Sequence, residues 1–74
     1  MHNISKETLA QLREEYPTGA RVELISMDDS YNTCLRPGAK GSVVSVDDMG
    51  TIHVQWDCGS SLGVVYGVDR CKLL

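Results

Sequence analysis

Three cysteines and two histidines are the side chains of this chain that could hold a zinc ion. Structural zinc takes four ligands and usually includes one closely spaced pair of Cys or His residues. His53, Cys58 and Cys71 are widely spaced, no C-x-x-C is present, and a fourth ligand would have to be Cys34 or His2. The spacing therefore favours isolated, partly buried thiols and a surface histidine, and we expect no cofactor.

Cys58 and His53 could also act as a nucleophile and its base, which requires a thiolate of lowered pKa beside that base. The nearby carboxylates of Asp57 and Asp69 are negatively charged, and a negative charge raises the pKa of a thiol. This pair therefore does not predict catalysis. Because the sequence contains no other catalytic constellation, we expect a protein that is not an enzyme.

Acidic side chains offer the oxygen ligands that a divalent cation prefers. They occur at Asp28, Asp29, Asp47, Asp48 and Asp57, and their spacing is unlike that of an EF-hand loop. Aspartate also stabilises turns by hydrogen-bonding to its own backbone. We favour this structural interpretation and leave cation binding open.

Two polar segments are candidate partner-binding surfaces. One is the tight turn at residues 57–61, which serves either as a polar recognition loop or as a turn capped by its own side chains. The other is the polar loop at residues 28–37, where an exposed tyrosine beside two aspartates would suit a basic or aromatic-seeking partner. The candidate residues are Asp28, Asp29, Tyr31, Asp57, Ser60 and Ser61.

A β-hairpin over residues 35–57 is the element around which the chain is organised. Residues 51–57 alternate between an apolar and a polar face, as a half-buried strand does. Residues 41–46 are rich in β-branched side chains and are bounded by turn residues, which favours a second strand. We expect the core to include Val44, Val46, Ile52, Val54 and Trp56.

A short α-helix is predicted at about residues 5–16. Ser5 is a suitable N-cap, since its hydroxyl can accept a hydrogen bond from a free N–H of the first turn. Leu9, Leu12 and Tyr16 share one apolar stripe, and the proline that follows disfavours further helical geometry. A helix of about ten residues is marginal alone, so we expect its stripe to dock on the rest of the protein.

Further strands are predicted at residues 21–27, 62–66 and 70–74. Four to five short antiparallel strands separated by small turns, preceded by one short helix, indicate a mainly β protein folded as a small, closed or nearly closed barrel. A chain of 74 residues suits a single domain over residues 1–74, with the barrel at about residues 19–74.

Charge and composition narrow the class of protein further. Seven Lys and Arg against ten Asp and Glu give a net charge of −3, and the basic residues are scattered, which disfavours nucleic-acid binding. No apolar run reaches the roughly 18 residues of a membrane span. The N-terminus has no apolar signal core, and three cysteines make no disulfide framework. We therefore expect a cytoplasmic protein with reduced thiols and no membrane partner.

A resemblance to known families adds to this interpretation. SH3-like barrels, including KOW-type modules, have a glycine-and-hairpin core that resembles the pattern Gly38-x-x-Gly41-x-Val43-x-x-Val46, Gly50 and Ile52-x-Val54-x-Trp56. A closer resemblance, to the small bacterial family described as domain of unknown function 4314, covers TGARVELISMDD, PGAKGSVVSVDDMGTIHVQWD and GSSLGVVYGVDR. This resemblance implies a compact SH3-like β fold. Members of the family occur mainly in Gram-positive bacteria and are often encoded on phage and other mobile elements. The resemblance implies no known activity and no catalytic residues.

The leading functional hypothesis is a non-enzymatic binding or adaptor module that docks on a protein partner encoded by the host or by the mobile element. The alternative is a nucleic-acid or ribosome-associated KOW-like module, against which the net charge argues. We expect a monomer, or a weak homodimer formed through the helix or an open strand edge.

Overall fold

The computed structural model describes residues 4–27 and 35–74 of the chain. Within these residues it has one helix, α1 (Lys6–Glu15), followed by the strands β1 (Arg21–Ser26), β2 (Lys40–Val46), β3 (Thr51–Trp56), β4 (Val64–Val65) and β5 (Arg70–Leu73). The strands form one antiparallel sheet in the order β4-β3-β2-β1-β5. The prediction of a mainly β protein with one N-terminal helix is confirmed. The sheet is open, because β4 and β5 are not hydrogen-bonded to each other.

Helix α1 begins and ends close to where the sequence predicts. Ser5 is the N-cap, and its Oγ accepts a hydrogen bond from the Thr8 N–H at 3.1 Å. At the other end the Tyr16 N–H donates to the Leu12 C=O at 2.9 Å. Leu12 is buried in the core, while Leu9 and Tyr16 are partly buried and pack against it, so the predicted stripe docks on the sheet. No helix in the described part of the chain is long and apolar enough to cross a membrane.

The hairpin of β2 and β3 is closed by a turn that Asp47 holds together. Its Oδ1 accepts hydrogen bonds from the N–H of Met49 at 3.0 Å and from the N–H of Thr51 at 2.9 Å. Gly50 adopts a positive φ of 83°, a conformation that costs glycine little because it has no Cβ. The interpretation of this aspartate as a turn residue is therefore confirmed.

A β-bulge in β2 changes which residues face the core. The register with β3 shifts between Val43 and Ser45, where an extra residue of β2 interrupts the pairing. As a result Val43 is buried, whereas Val44 is 52% exposed. The prediction of Val44 as a core residue is therefore wrong. The other four predicted core residues are buried, namely Val46, Ile52, Val54 and Trp56.

Trp56 is the largest fully buried side chain among the described residues. Its indole N–H donates to the Leu62 C=O at 2.8 Å, so the one polar group of the buried side chain has a hydrogen-bond partner. Opposite Trp56 in the register, Gly41 brings β2 very close to β3. A Cβ on Gly41 would lie 2.7 Å from Val54 Cγ1 and 2.9 Å from Trp56 Cα, so only glycine fits at this position.

Replacing Trp56 by alanine should lower the free energy of unfolding by about 3–5 kcal/mol, because a large buried side chain is lost and a cavity remains. Urea denaturation followed by circular dichroism measures the change. Val44→Ala is the matched control in the same hairpin, and we expect it to change the stability by less than about 0.5 kcal/mol. An unchanged urea midpoint for Trp56→Ala would place the core elsewhere.

Candidate functional site

The open side of the sheet forms a groove between helix α1 and the chain that runs from β4 to β5. We call it the seam groove. Its volume is about 690 Å³, which falls within the range of about 300–1,000 Å³ that is usual for ligand pockets. Its walls include Leu12, Glu15, Tyr16, Val64, Tyr66 and Cys71.

The seam groove exists because β4 is short and its backbone is engaged by the turn that follows. The Asp69 carboxylate accepts a hydrogen bond from the Val65 N–H at 3.0 Å. The Val65 C=O accepts from the N–H of Val68 at 3.0 Å and from the N–H of Asp69 at 2.8 Å. The polar groups that could continue the sheet beyond β4 are thus used within the turn. The chain then re-enters the sheet as β5, on the far side of β1, and the seam stays unpaired.

The free edge of β5 faces this groove, and helix α1 covers part of it. The Leu74 N–H donates to the Arg21 C=O at 3.0 Å. In an antiparallel pair of strands, hydrogen-bonded and non-hydrogen-bonded positions alternate. Leu73 and Cys71 are therefore non-hydrogen-bonded positions in the pairing with β1, and their backbone N–H and C=O groups point away from β1. The Tyr16 hydroxyl donates to the Cys71 C=O at 3.4 Å, so the helix engages one of these groups.

Tyr16 and Cys71 place a phenol and a thiol in the groove wall. Burial raises the pKa of the Tyr16 hydroxyl, and the negative charges of Cys71 and Glu15 would raise it further. Burial also raises the pKa of the Cys71 thiol, which is free. Both groups can therefore form hydrogen bonds, but neither is an activated nucleophile. With Tyr66 exposed at the rim, the groove is suited to binding apolar and hydrogen-bonding groups.

The predicted partner-binding turn at residues 57–61 is held by internal contacts. Asp57 forms a bidentate ion pair with Arg21 at 2.9 and 2.5 Å, and the hydrogen bond from Arg21 lowers the pKa of the Asp57 carboxyl. Ser60 is 9% exposed, and its C=O accepts a hydrogen bond from the Trp56 N–H at 2.9 Å. Ser61 is exposed. These contacts support turn capping, and a role of the turn in partner binding stays a prediction.

The other predicted partner-binding residues, Asp28, Asp29 and Tyr31, lie outside the described residues, as do Cys34 and His2. A role of the 28–37 loop in partner binding therefore also stays a prediction. Across residues 4–27 and 35–74, no group of three His, Cys, Asp or Glu side chains is placed to hold a metal ion.

His53 and Cys58 have separate partners. The His53 Nε2 lies 2.9 Å from the Asp47 Oδ2, with which it shares a hydrogen bond. Cys58 is disulfide-bonded. The structure therefore differs from the expectation of reduced thiols at Cys58, and it agrees with that expectation at the free thiol of Cys71.

The sheet surface that faces away from the core gathers cationic side chains in a way that sequence reasoning missed. Glu23 is in register with Lys40 on one side and with Lys72 on the other, so two lysines flank one carboxylate. Arg70 lies on the same strand as Lys72 and is in register with Ser26. These basic residues are scattered along the chain, and only the pairing of β1 with both β2 and β5 brings them together. The available signal was the alternation of charged positions within each strand.

Comparison with known proteins identifies a family. The family model described as "Domain of unknown function (DUF4314)" matches residues 5–74, which include α1 and the strands β1 to β5. No curated protein and no solved structure matches the chain. The match confirms the family resemblance seen in the sequence. The likeness to SH3-like barrels and the association with mobile elements stay predictions.

Acid should destabilise the protein through Asp47. Hydrogen bonds with His53 and with the N–H groups of Thr51 and Met49 lower the pKa of this carboxyl below its usual 3.8. Because the pKa is lower in the folded state, the carboxylate stabilises the protein above the unfolded pKa. That contribution is lost as the pH falls through the folded pKa. We therefore expect Asp47→Asn to reduce the decline of the urea midpoint between about pH 5 and pH 3.

Asp48→Asn is the matched control, because the neighbouring Asp48 carboxylate is 94% exposed and its ion pair with Arg13 at 2.8 Å is a solvent-exposed one that contributes little to stability. This variant should keep the acid dependence of the wild type. An Asp47→Asn variant whose urea midpoint declines as steeply as that of the wild type would contradict the assignment.

Proposed function

We propose that this chain, which belongs to the DUF4314 family of domains of unknown function, is a non-enzymatic binding module that docks on a protein partner through the seam groove. The observation that carries the proposal is the groove itself, with a volume of about 690 Å³ and both apolar and tyrosine side chains in its walls. Exposed aromatic anchors beside apolar walls are typical of surfaces that bind segments of other proteins.

The chemistry of the groove supports binding rather than turnover. Burial raises the pKa of both Tyr16 and Cys71, so the phenol and the thiol stay protonated at neutral pH. A partner can form hydrogen bonds with these groups, whereas nucleophilic catalysis would need one of them as an anion.

In-cell photocrosslinking tests the proposal. A photoreactive p-benzoylphenylalanine at position 66, where Tyr66 lies at the groove rim, should form an adduct with one recurring host protein. The same amino acid at position 55 is the control, because Gln55 is exposed on the sheet surface away from the core. Absence of an adduct at position 66, or the same adducts from both positions, would contradict docking through the groove.

The 28–37 loop and the 57–61 turn are the surfaces that the sequence predicts for the same function. The crosslinking experiment separates them from the groove when it is repeated with Tyr31→Ala, with Asp28→Ala/Asp29→Ala and with Ser61→Ala. An adduct from position 66 that persists in all of these variants assigns the contact to the groove. Its loss in any of them assigns part of the contact to the loop or the turn.

A nucleic-acid partner is the second candidate, favoured by the cations on the outward sheet surface. Lys40 and Lys72 flank Glu23, and Arg70 lies beside them. The net charge of −3 opposes this candidate. Phosphate contacts release counterions, so any such binding should weaken steeply with salt. Fluorescence anisotropy with single-stranded RNA and duplex DNA at about 50 mM salt tests it, and an unchanged anisotropy rejects it.

We further propose that the protein acts in the bacterial cytoplasm and is encoded on phage or other mobile elements. Cytosolic thiols are kept reduced, so a cytoplasmic protein should have Cys58 reduced in cells, although this residue is disulfide-bonded in the structure. Acid quenching, denaturation and alkylation, followed by mass spectrometry, measure this. The free Cys71 is the internal control for labelling. Alkylated Cys58 supports the cytoplasm, and protected Cys58 contradicts it.

A further inference from the structure

We infer that the partner of the seam groove is an extended peptide segment that adds as a strand to the free edge of β5 and carries acidic side chains at alternate positions. This inference rests on the proposed function and specifies the chemistry of the partner.

The backbone of β5 supplies the first argument. Leu73 has its N–H and C=O pointing away from β1, and so has Cys71. An added strand would lie about 4.8 Å from β5 and would pair with these groups. The Tyr16 hydroxyl contacts the Cys71 C=O at 3.4 Å, which is long for an O–H···O hydrogen bond, so a backbone N–H can replace it at small cost. The opposite sheet edge offers no equivalent at Val65, because the turn that follows engages its N–H and C=O.

The side chains of β5 supply the second argument. Lys72 is in register with Glu23, which is in turn in register with Lys40, and Arg70 forms no ion pair with the described residues. Side chains directly opposite each other on paired strands interact, and opposite charges stabilise the pairing. Carboxylates on the added strand beside Arg70 and Lys72 would therefore stabilise it.

The alternation of side chains along a strand then determines which residue types the peptide needs between its carboxylates. Successive residues of a strand point to opposite faces, so the residues between the carboxylates share the face of Leu73 and Cys71. Leu73 is 46% exposed although its register partner Val22 is fully buried, so an apolar side chain has a surface to cover here. A one-residue slip would turn the carboxylates toward Glu15 in the groove wall, and this repulsion opposes the slipped register.

The same charges oppose a second copy of this chain as the occupant. Antiparallel pairing of two β5 edges would bring Arg70 and Lys72 of one copy beside those of the other, and like charges directly opposite each other are destabilising. A nucleic-acid strand would satisfy the cations but not the alternating N–H and C=O groups of the edge. The observations therefore favour an acidic peptide.

Titration of the labelled protein with synthetic peptides tests the inference. The probe is acetyl-Glu-Val-Glu-Leu-Glu-Val-amide, and binding is followed by ¹H–¹⁵N NMR. We expect the largest shifts at the backbone amides of Cys71 and Leu73. A peptide of the same composition with the three glutamates placed together, and the Lys-for-Glu version of the probe, should not produce these shifts.

Two protein variants separate the backbone from the charges. Leu73→Pro removes an N–H that the β1 ladder does not use, and proline is tolerated at such edge positions. It should abolish binding while the remaining amide spectrum persists, and Leu73→Ala is its control with the N–H retained. Arg70→Glu/Lys72→Glu should weaken binding about tenfold, whereas Lys6→Glu on the exposed helix surface should leave it unchanged.

Four outcomes would overturn the inference. Equal binding of the alternating and the grouped peptide would reduce the interaction to charge alone. Self-association in sedimentation experiments that Leu73→Pro abolishes would make a second copy the occupant. Displacement of the peptide by RNA at the same amides would make the surface a nucleic-acid site. If no peptide binds while the adduct from position 66 persists, strand addition is refuted and docking through the groove stands.

Discussion

The packing of Trp56 in the core is the interaction on which the rest of the structure depends. Trp56 is 1% exposed and lies opposite Gly41, where a Cβ on β2 would clash with β3. Its backbone N–H donates to the Ser60 C=O at 2.9 Å and its indole N–H to the Leu62 C=O at 2.8 Å. One residue therefore ties the hairpin to the turn that leads into β4. Since β4 follows that turn after two residues, the same contact helps to set the position of the groove wall.

The parts of the fold that could be predicted from the sequence are those in which one element carries its own signal. The N-cap at Ser5 and the apolar stripe of α1 predict the helix, and strict alternation predicts β3 and its buried face. The bulge in β2 defeats this approach, because Val43 and Val44 are both apolar and both β-branched. Only the pairing with β3 decides which of them faces the core, and pairing is a property of two strands.

The seam groove could not be predicted for a related reason. It is formed by α1 and by the chain from β4 to β5, which are far apart in sequence. Its existence depends on Asp69, whose carboxylate takes the Val65 N–H and so ends β4 after two residues. In sequence this aspartate looks like any other turn residue. The net charge of −3 likewise says nothing about where the charges lie on the surface. It does not reveal that strand pairing places Lys40 and Lys72 on either side of Glu23.

The two edges of the sheet differ in how many of their outward backbone groups are already hydrogen-bonded, and this difference bears on function. Exposed edges invite pairing with other chains, and proteins commonly shorten or cover them. The edge at β4 is closed within the chain, since both polar backbone groups of Val65 are engaged by its own turn. At β5 the Tyr16 hydroxyl reaches only the Cys71 C=O, and Leu73 keeps an outward N–H and C=O.

The backbone groups of β5 therefore fall into two sets, one that bonds to β1 and one that points away from it. The backbone N–H and C=O of Lys72 point toward β1 and hold the strand in the sheet, while those of Cys71 and Leu73 point away from β1. A substitution that alters only the outward groups leaves the ladder to β1 intact. Folding and the proposed strand addition thus depend on different backbone atoms of the same strand, so an open edge at β5 does not weaken the sheet to which it belongs.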